Sequence, residues 1–235
     1  MTPRFSILIP TLGREEMLCE ALEGILSQTF TDYEVIIKDG NSSYPILKSS
    51  YFRSIFRKLG HRAKYLAYLD GSLFPGLNQA LKIATGHIYN FHADDDVFAS
   101  NDVLEYVDQL FKTSVTWAYG RIQNVNEFMN PCWASWDGGE RLFSFEEQCQ
   151  HNRIPFPSAF IREDLMHKLA KFNESYITCG DYELFLRCYT ECNPVWIDKV
   201  ISKYRNWPGQ DSITRREILL REAAQLQSEW QCKNS

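Results

Sequence analysis

The sequence predicts an α/β protein built on a mostly parallel sheet that is flanked by helices. Up to about residue 120, short β-branched and aromatic runs alternate with segments whose apolar residues recur at helical spacing. Such alternation is typical of strand–helix–strand units with parallel strands. After residue 120 the periodicity is irregular and Trp, Gly and Pro recur, which indicates an α+β second half. We expect one domain over residues 1–235, with halves at 1–120 and 121–235.

Strands and helices alternate in the first half. The strands are expected at 5–9, 34–38, 64–69, 88–91 and 116–121, and the helices at 15–28, 46–62, 77–84 and 101–112. Gly86 is the expected stop signal of the third helix, and Ser100 or Asn101 is the expected N-cap of the fourth. Open α/β sheets bind ligands at the carboxyl ends of their strands, so the polar residues there are the candidates for function.

The second half is expected to contain helices and short strands separated by irregular segments. The helices are predicted at 162–171, 182–191 and 213–230, and the strands at 195–197 and 200–201. Before the last helix, residues 206–212 place Pro208 and Gly209 beside Trp207. This pattern suggests either a hinged lid or a rigid turn with an N-cap at Asp211 or Ser212.

Composition argues against several classes of protein. The formal net charge of −5 argues against general nucleic-acid binding, which requires a basic face. Seven scattered cysteines contain no CxxC pair, which favours free thiols in a reducing cytoplasm over a zinc site or a disulfide framework. The N-terminal residues lack the pattern of a signal peptide, and no apolar run has the length of a membrane span. We therefore expect a cytoplasmic enzyme or binding protein.

Three consecutive carboxylates, Asp94, Asp95 and Asp96, follow the apolar run at 88–91; we call them the acid turn. Adjacent anions repel one another, so their place at the end of a buried strand is explained by a divalent cation. Mn²⁺ and Mg²⁺ prefer oxygen ligands, and Mg²⁺ commonly takes one or two carboxylates together with substrate phosphates. The alternative is a solvated acidic turn, because Asp also favours turns and helix caps.

Several blocks of the chain, taken in order, resemble the family-two glycosyltransferases of the GT-A type. They are the run 5–14, the block 36–43, the segment 70–86, the acid turn as a DxD motif, and the run 179–187. The resemblance covers essentially the whole chain. It implies a Rossmann-like sheet and the transfer, with inversion, of a sugar from a nucleotide diphosphate, for which a UDP-linked donor is expected. The acceptor would be a hydroxyl of a glycan or of a lipid-linked molecule.

The resemblance also implies roles for particular residues. Asp181 would be the catalytic base, and Asp95 and Asp96 would hold the Mn²⁺ or Mg²⁺ ion. Ala93 stands where the family often has another Asp, so which members of the acid turn hold the metal stays open. The residues expected to bind the donor are Pro10, Thr11, Arg14, Asp39, Asn41, Ser42, Asp70, Asn78, Asp94 and Asp95.

Two other functions fit part of the pattern. A nucleotide-sugar pyrophosphorylase would share the sheet and the metal, but the loop at 10–14 is poor in the glycines that such an enzyme uses to bind phosphate. A catalytically silent sugar-nucleotide-binding domain would not need a separate acid at Asp181. Peripheral association with the inner face of a membrane and oligomerisation are both compatible with the sequence.

Overall fold

The computed structural model describes residues 2–40, 46–67, 72–134 and 138–231, and a mixed sheet runs through both halves of the chain. Within these residues the sheet has eight strands in the order β3-β2-β1-β4-β7-β6-β8-β5. The strands are β1 (Phe5–Thr11), β2 (Tyr33–Asp39), β3 (Ala63–Ala67), β4 (Ile88–Phe91), β5 (Val97–Phe98), β6 (Trp117–Asn126), β7 (Ala159–Arg162) and β8 (Val195–Asn206).

Parallel pairing dominates the first half of the sheet. Strand β1 lies parallel to β2 and to β4, and β2 lies parallel to β3. Strand β7 is antiparallel to both β4 and β6, and β6 and β8 are parallel. The mostly parallel sheet flanked by helices is confirmed. The carboxyl ends of β1, β2 and β4 are neighbours, so the residues that follow these strands lie at one edge.

Helices cover both faces of the sheet. They are α1 (Glu15–Leu26), α2 (Ser50–Leu59), α3 (Leu73–Leu81), α4 (Val103–Leu110), α5 (Phe145–Gln150), α6 (Glu163–Lys168), α7 (Gly180–Glu191), α8 (Asp211–Thr214) and α9 (Arg216–Gln231). Alternate residues of β1 point to opposite faces. Ile7 and Ile9 are buried with apolar residues of α1, α2 and α4, whereas Leu8 is buried with those of α3, α6, α7 and α9.

The second half contains more strand than its sequence predicts. Strand β8 is continuous over twelve residues, where two short segments at 195–197 and 200–201 were expected. Its last part contains polar residues such as Lys203, which pairs with Gln123 of β6 and Val97 of β5. Backbone pairing on both sides therefore keeps this part extended although its side chains are not apolar. Strands β5 and β7 were not predicted, because β5 has only two residues and β7 follows the proline-spaced stretch at 154–157, where the periodicity is irregular.

Most helix boundaries differ from the predicted ones by a few residues, and the differences at α2, α3 and α4 are informative. The helix expected at 46–62 is α2 with a 3-10 turn at each end. Helix α3 ends at Leu81, so Gly86 is not its stop signal. A Cβ on Gly86 would lie 2.6 Å from backbone atoms of Phe5 and Ser6, so this glycine lets the chain approach β1 closely. The N-cap of α4 is Asp102 rather than Ser100 or Asn101, and its side chain makes no capping bond.

The last helix, α9, packs on the body of the protein. Leu226 is fully buried, and the ring of Trp230 meets the ring of Phe145 edge to face at 6.0 Å. In the described part of the chain, no helix combines the length and the apolar character needed to cross a membrane.

Candidate active site

The ends of β1 and β2 bring two predicted donor-binding residues together. Thr11 and Asp39 are partners in the parallel register, and the amide of Gly40 donates to the carbonyl of Thr11 at 2.9 Å. Asp39 is fully buried, and its Oδ2 accepts a hydrogen bond of 2.5 Å from the hydroxyl of Tyr65. Burial and this contact with Asp39 raise the pKa of Tyr65, which therefore donates as a neutral phenol. Pro10 precedes Thr11 on the same strand.

The first carboxylate of the acid turn forms a two-point ion pair. The guanidinium of Arg14 donates to both oxygens of Asp94, at 3.0 Å from Nε and 2.5 Å from Nη2. Gly13 immediately before it has φ of 86°, a left-handed turn that brings Arg14 over the strand end. Burial raises the pKa of Asp94 to about 6, while Arg14 and the hydroxyl of Thr11 act to lower it. The pair is thus ionised at neutral pH.

The second carboxylate is reached by the segment before α8. Asp95 is half-buried, and its Oδ2 accepts a hydrogen bond of 2.8 Å from the indole N–H of Trp207. The guanidinium of Arg14 lies 5.7 Å from the centre of the same indole ring. Burial would lower the pKa of Arg14, but Asp94, Asp95 and Asp211 hold it above its ordinary value. The residues after β8 thus extend across the acid turn.

The third carboxylate points into the protein. Asp96 is 1% exposed, and its Oδ1 accepts the backbone amide of Arg205 at 2.9 Å. The side chain of Arg205 donates to the carbonyls of Asp95 and Glu127, both at 2.8 Å, and to the carboxylate of Glu20. Burial, reinforced by Asp95, raises the pKa of Asp96 well above its ordinary value. Arg205 therefore holds the backbone of the acid turn in place.

A divalent cation fits this turn as a partial site. Among the described residues, Oδ2 of Asp96 is buried without a hydrogen-bond partner, beside the carboxylate of Asp95. Within those same ranges, no three His, Cys, Asp or Glu side chains are arranged as a ready-made metal site. Mg²⁺ commonly uses one or two carboxylates and completes its shell with phosphates and water, so two carboxylates suffice. The oxygen-only donor set suits Mn²⁺ equally.

Asp181 lies at the beginning of α7 in the second half of the chain. It is the second residue of the helix, and the N-cap is Cys179. Its Oδ2 accepts a hydrogen bond of 3.3 Å from the side-chain amide of Asn152. Burial raises the pKa of Asp181 to about 6, although the backbone amides of Tyr182 and of Asp181 itself act in the opposite direction.

Tyr204 connects the acid turn with the start of α7. Burial raises the pKa of Tyr204, and the carboxylates of Asp96, Asp95 and Asp181 act in the same direction. The side chain of Tyr204 therefore lies near all three carboxylates. Asp181 and the acid turn, which are far apart in sequence, thus share one neighbouring residue. The hydroxyl of Tyr204 also accepts a hydrogen bond of 3.1 Å from the side chain of Gln210.

Other predicted site residues have different surroundings. The side-chain amide of Asn78 exchanges hydrogen bonds of 3.0 and 2.9 Å with the backbone of Phe172 and donates to Glu174 at 2.8 Å. These contacts connect α3 with the segment before α7. A contact between Asn78 and the nucleotide-sugar donor stays a prediction. Asn41, Ser42 and Asp70 lie outside the described residues.

Sequence reasoning missed Tyr204 and Arg205 and did not connect Trp207 with the acid turn. All three follow a stretch in which apolar periodicity has ended, so they gave no strand signal. One signal was available, because binding and catalytic residues often lie on the segments that leave the end of a strand. Polar and aromatic residues occupy that segment here. The N-cap position of α8 is Gln210, not Asp211 or Ser212, and its side chain makes no capping bond.

The sheet, with an acid turn at the end of its central parallel strand, has the architecture of the GT-A class of nucleotide-sugar-dependent transferases. The protein-family model "Glycosyl transferase family 2" matches residues 6–170. A PGL/p-HBAD biosynthesis glycosyltransferase of Mycobacterium bovis is 27% identical over 227 residues, which are 93% of this chain and 84% of the relative.

Two solved structures share the fold. TarS of S. aureus, residues 1–349 in complex with UDP-GlcNAc, superposes with a TM-score of 0.72 at 19% identity over 88% of this chain and 60% of that one. The mannosyltransferase PcManGT of Pyrobaculum calidifontis, in complex with GDP-Man and Mn²⁺, gives a TM-score of 0.63 at 16% identity, covering 87% of this chain and 57% of that one. At these identities the likeness concerns the fold alone.

The chain belongs to glycosyl transferase family 2. It is a glycosyltransferase, whose reaction is the transfer of a sugar from a nucleotide sugar.

Proposed function

We propose that this chain is a metal-dependent inverting glycosyltransferase that moves a sugar from a UDP-linked donor to a hydroxyl of a glycan or lipid-linked acceptor. The observation that carries the proposal is that Asp181 and the acid turn both lie near Tyr204. The acid turn suits the leaving diphosphate through a bound cation, and the carboxylate of Asp181 suits the attacking hydroxyl. Residues 1–120 supply the donor side in this proposal, and residues 121–235 supply the acceptor side.

Donor recognition is assigned to the edge formed by β1, β2 and β4. The buried carboxylate of Asp39 can accept a hydrogen bond from the base or the ribose, as Tyr65 already donates to it. Thr11 lies beside it in the sheet register, and Arg14 is anchored on Asp94 at the rim of the same edge. Pro10 keeps the end of β1 free of a backbone donor.

Asp95 and Asp96 are the residues that would hold a Mn²⁺ or Mg²⁺ ion. When bound, such an ion offsets the negative charge that develops on the departing diphosphate. Arg205 supports this role by fixing the carbonyl of Asp95 and by donating its own amide to Asp96. The complex of PcManGT with Mn²⁺ supports metal use within the fold class.

Asp181 is the proposed general base. A pKa of about 6 leaves its carboxylate mostly ionised at neutral pH, yet it is far more basic than an ordinary aspartate. It can therefore accept the proton of an acceptor hydroxyl as that oxygen attacks the sugar. Attack from the side opposite to the leaving diphosphate gives inversion.

The surroundings of the reaction are part of the proposal. The six cysteines among the described residues are all free thiols, which supports a reducing, cytoplasmic location. A lipid-linked acceptor would require the enzyme to work at the membrane face. A relative from Escherichia coli, 25% identical over 123 residues, is named a UDP-Glc:alpha-D-GlcNAc-diphosphoundecaprenol beta-1,3-glucosyltransferase, which supports testing acceptors of that kind.

One experiment separates this proposal from its alternatives. The purified chain is incubated with UDP- and GDP-linked sugars, with Mn²⁺ or with a chelator, and release of the nucleotide diphosphate is measured. We expect slow, metal-dependent release from a UDP-linked sugar that accelerates when a suitable acceptor is added. Turnover that depends on pyrophosphate would indicate a pyrophosphorylase, and donor binding without any release would indicate a silent binding domain.

A further inference from the structure

Helix α7 begins without a capping side chain of its own. Its N-cap, Cys179, makes no side-chain bond to the first turn, although the amides at a helix start need partners from outside the helix. The partner of the amides that lead into α7 comes from α9. The carboxylate of Glu222 accepts the amides of Ile177 at 2.8 Å, Thr178 at 2.9 Å and Cys179 at 3.0 Å, and also the hydroxyl of Thr178 at 2.9 Å.

Glu222 differs from the other acids of its helix. It is only 6% exposed, whereas Glu217 and Glu229 face solvent. Burial acts to raise the pKa of Glu222, but the four donors outweigh it and hold the pKa below its ordinary value. A buried carboxylate that stays ionised because backbone amides converge on it is a fixed structural anion.

The segment that Glu222 holds ends two residues before Asp181. Apart from its own helix backbone, Asp181 has one side-chain donor among the described residues, Asn152 at 3.3 Å. The direction of its carboxylate is therefore set largely by the backbone of the first turn of α7. We propose that Glu222 is a positioning residue that orients Asp181 by clamping residues 177–179, so that the last helix serves catalysis. This inference rests on the proposed function, in which Asp181 is the base.

The charge of Glu222 has a second consequence. The charged and titratable groups that face Asp181 are Glu222 from α9, Tyr204 from β8 and Cys179 at the start of α7. Burial raises the pKa of Asp181 most, and the anion of Glu222 acts in the same direction. The groups that face Glu222 itself are Asp181, Cys179 and Tyr176. Loss of the charge at Glu222 should therefore make Asp181 more acidic.

Three variants separate geometry from charge. In Glu222→Gln, one amide oxygen can still accept from Thr178 and Cys179, but an NH₂ group then faces the amide of Ile177 and the charge is lost. Thr178→Val removes one donor and keeps the charge. Glu217→Gln removes an exposed acid from the same helix and is the matched control.

Two measurements need no turnover. Amide hydrogen exchange of residues 177–181 reports the clamp, and NMR titration of the Asp181 carboxyl reports its pKa. For Glu222→Gln we expect at least about tenfold faster exchange at these amides and a downward pKa shift of roughly 0.5 unit. Thr178→Val should increase the exchange rate by a smaller factor and leave the pKa of Asp181 unchanged. Glu217→Gln should match the parent protein in both measurements.

Transfer kinetics complete the test. With a donor and acceptor pair that the parent protein uses, Glu222→Gln should lower kcat roughly tenfold or more, leave the KM for the donor nearly unchanged, and move the acidic limb of the pH profile to lower pH. Unchanged exchange at residues 177–181 would overturn the clamp. Faster exchange with normal kcat and an unmoved acidic limb would make Glu222 merely structural. A parent protein without transferase activity would refute the proposed function, while exchange and titration would still decide whether Glu222 orients Asp181.

Discussion

The acid turn and the start of α7 both carry carboxylates that are buried or half-buried, but the hydrogen-bond donors to these carboxylates are distributed differently. At the acid turn each carboxylate has a donor from a distant part of the chain. The pairs are Asp94 with Arg14, Asp95 with the indole of Trp207, and Asp96 with the amide of Arg205. At the start of α7 the donors are divided unequally. Glu222 takes three successive amides and a hydroxyl, whereas Asp181 has one long bond from a side-chain donor, Asn152.

At the start of α7 this unequal division separates a fixed charge from an exchangeable one. Four donors hold the pKa of Glu222 below its ordinary value despite its burial, so its carboxylate stays ionised over a wide pH range. Asp181 has few donors, and desolvation raises its pKa to about 6, so its carboxylate can take up a proton near neutrality. A general base needs the second condition, because its pKa must lie near the working pH.

The largest effect is expected from Asp181→Asn. Asn keeps the size of the side chain but cannot accept the hydroxyl proton, so the transfer rate should fall roughly 10²–10⁴-fold with donor affinity nearly unchanged. Asp164→Asn is the matched control, since Asp164 is also the second residue of its helix, α6, and lies outside the site. Rates with saturating acceptor and the Kd of the donor are the measurements. An Asp181→Asn variant that retained more than about a tenth of the rate would contradict the base assignment.

The pH profile of the parent enzyme sharpens the same comparison. Because the base must be ionised, transfer should decline as the pH falls through about 6, the pKa of Asp181. Steady-state rates between pH 5 and pH 8 at saturating donor would show this decline. Below the pKa the rate should fall roughly tenfold per pH unit. A limb centred near pH 4 would mean that Asp181 is not perturbed or is not the base.

Loss of a metal-holding carboxylate should have the next largest effect. Asp95→Ala is expected to weaken Mn²⁺-dependent binding of UDP at least about tenfold, because it removes one of the two carboxylates proposed to hold the ion. Calorimetric titration with UDP, with and without Mn²⁺, measures this loss. Asp198→Asn, at an exposed ion pair with Arg121, is the control. Equal UDP affinity in Asp95→Ala and in the parent protein would remove Asp95 from the metal site.

The two carboxylates at α7 should affect stability with opposite signs. At pH 7 Asp181→Asn should raise the free energy of unfolding by about 1–3 kcal/mol, because the variant no longer buries a charge. Glu222→Gln should lower it by about 1–3 kcal/mol, because at least one amide loses its acceptor.

Both stability differences should vanish at low pH. The raised pKa of Asp181 costs stability only as the pH rises from the ordinary range near 4 through about 6. The lowered pKa of Glu222 adds stability that is fully present above its ordinary pKa of 4.5 and is lost as the pH falls through the lowered value. Denaturant unfolding at pH 7 and at a series of lower pH values, down to about pH 2, measures both. If the two variants shifted stability in the same direction at pH 7, the contrast between them would be wrong.

The smallest effect concerns the segment after β8. Trp207, which reaches Asp95, and Gln210, which reaches Tyr204, suggest that residues 206–212 close over a bound donor. Amide exchange across these residues should slow several-fold when UDP and Mn²⁺ bind. Trp207→Phe, which keeps a ring but no indole N–H, should reduce that slowing. Identical exchange with and without nucleotide and metal would mean a rigid turn instead of a lid.

The sequence alone determined the strand ends and the acids that follow them. Alternating apolar segments define the parallel strands, Thr11 and Asp39 are the last residues of two of them, and the acid turn comes shortly after a third. Because carboxyl ends of neighbouring parallel strands share an edge, local pattern was enough to group these residues. The resemblance to family-two glycosyltransferases then indicated Asp181 through a local motif, although no local pattern related it to the acid turn.

Only the tertiary structure decided which groups satisfy these acids. Arg205 lies 109 residues from Asp96, and Trp207 lies 112 residues from Asp95. The donors to Glu222 are 43 to 45 residues away from it. A periodic pattern specifies which face of an element is buried, but not which distant backbone amide meets a given carboxylate. That choice follows from the register of β8 against β6 and from the packing of α9 on α5 and beside the segment before α7, and these depend on many side chains packing at once.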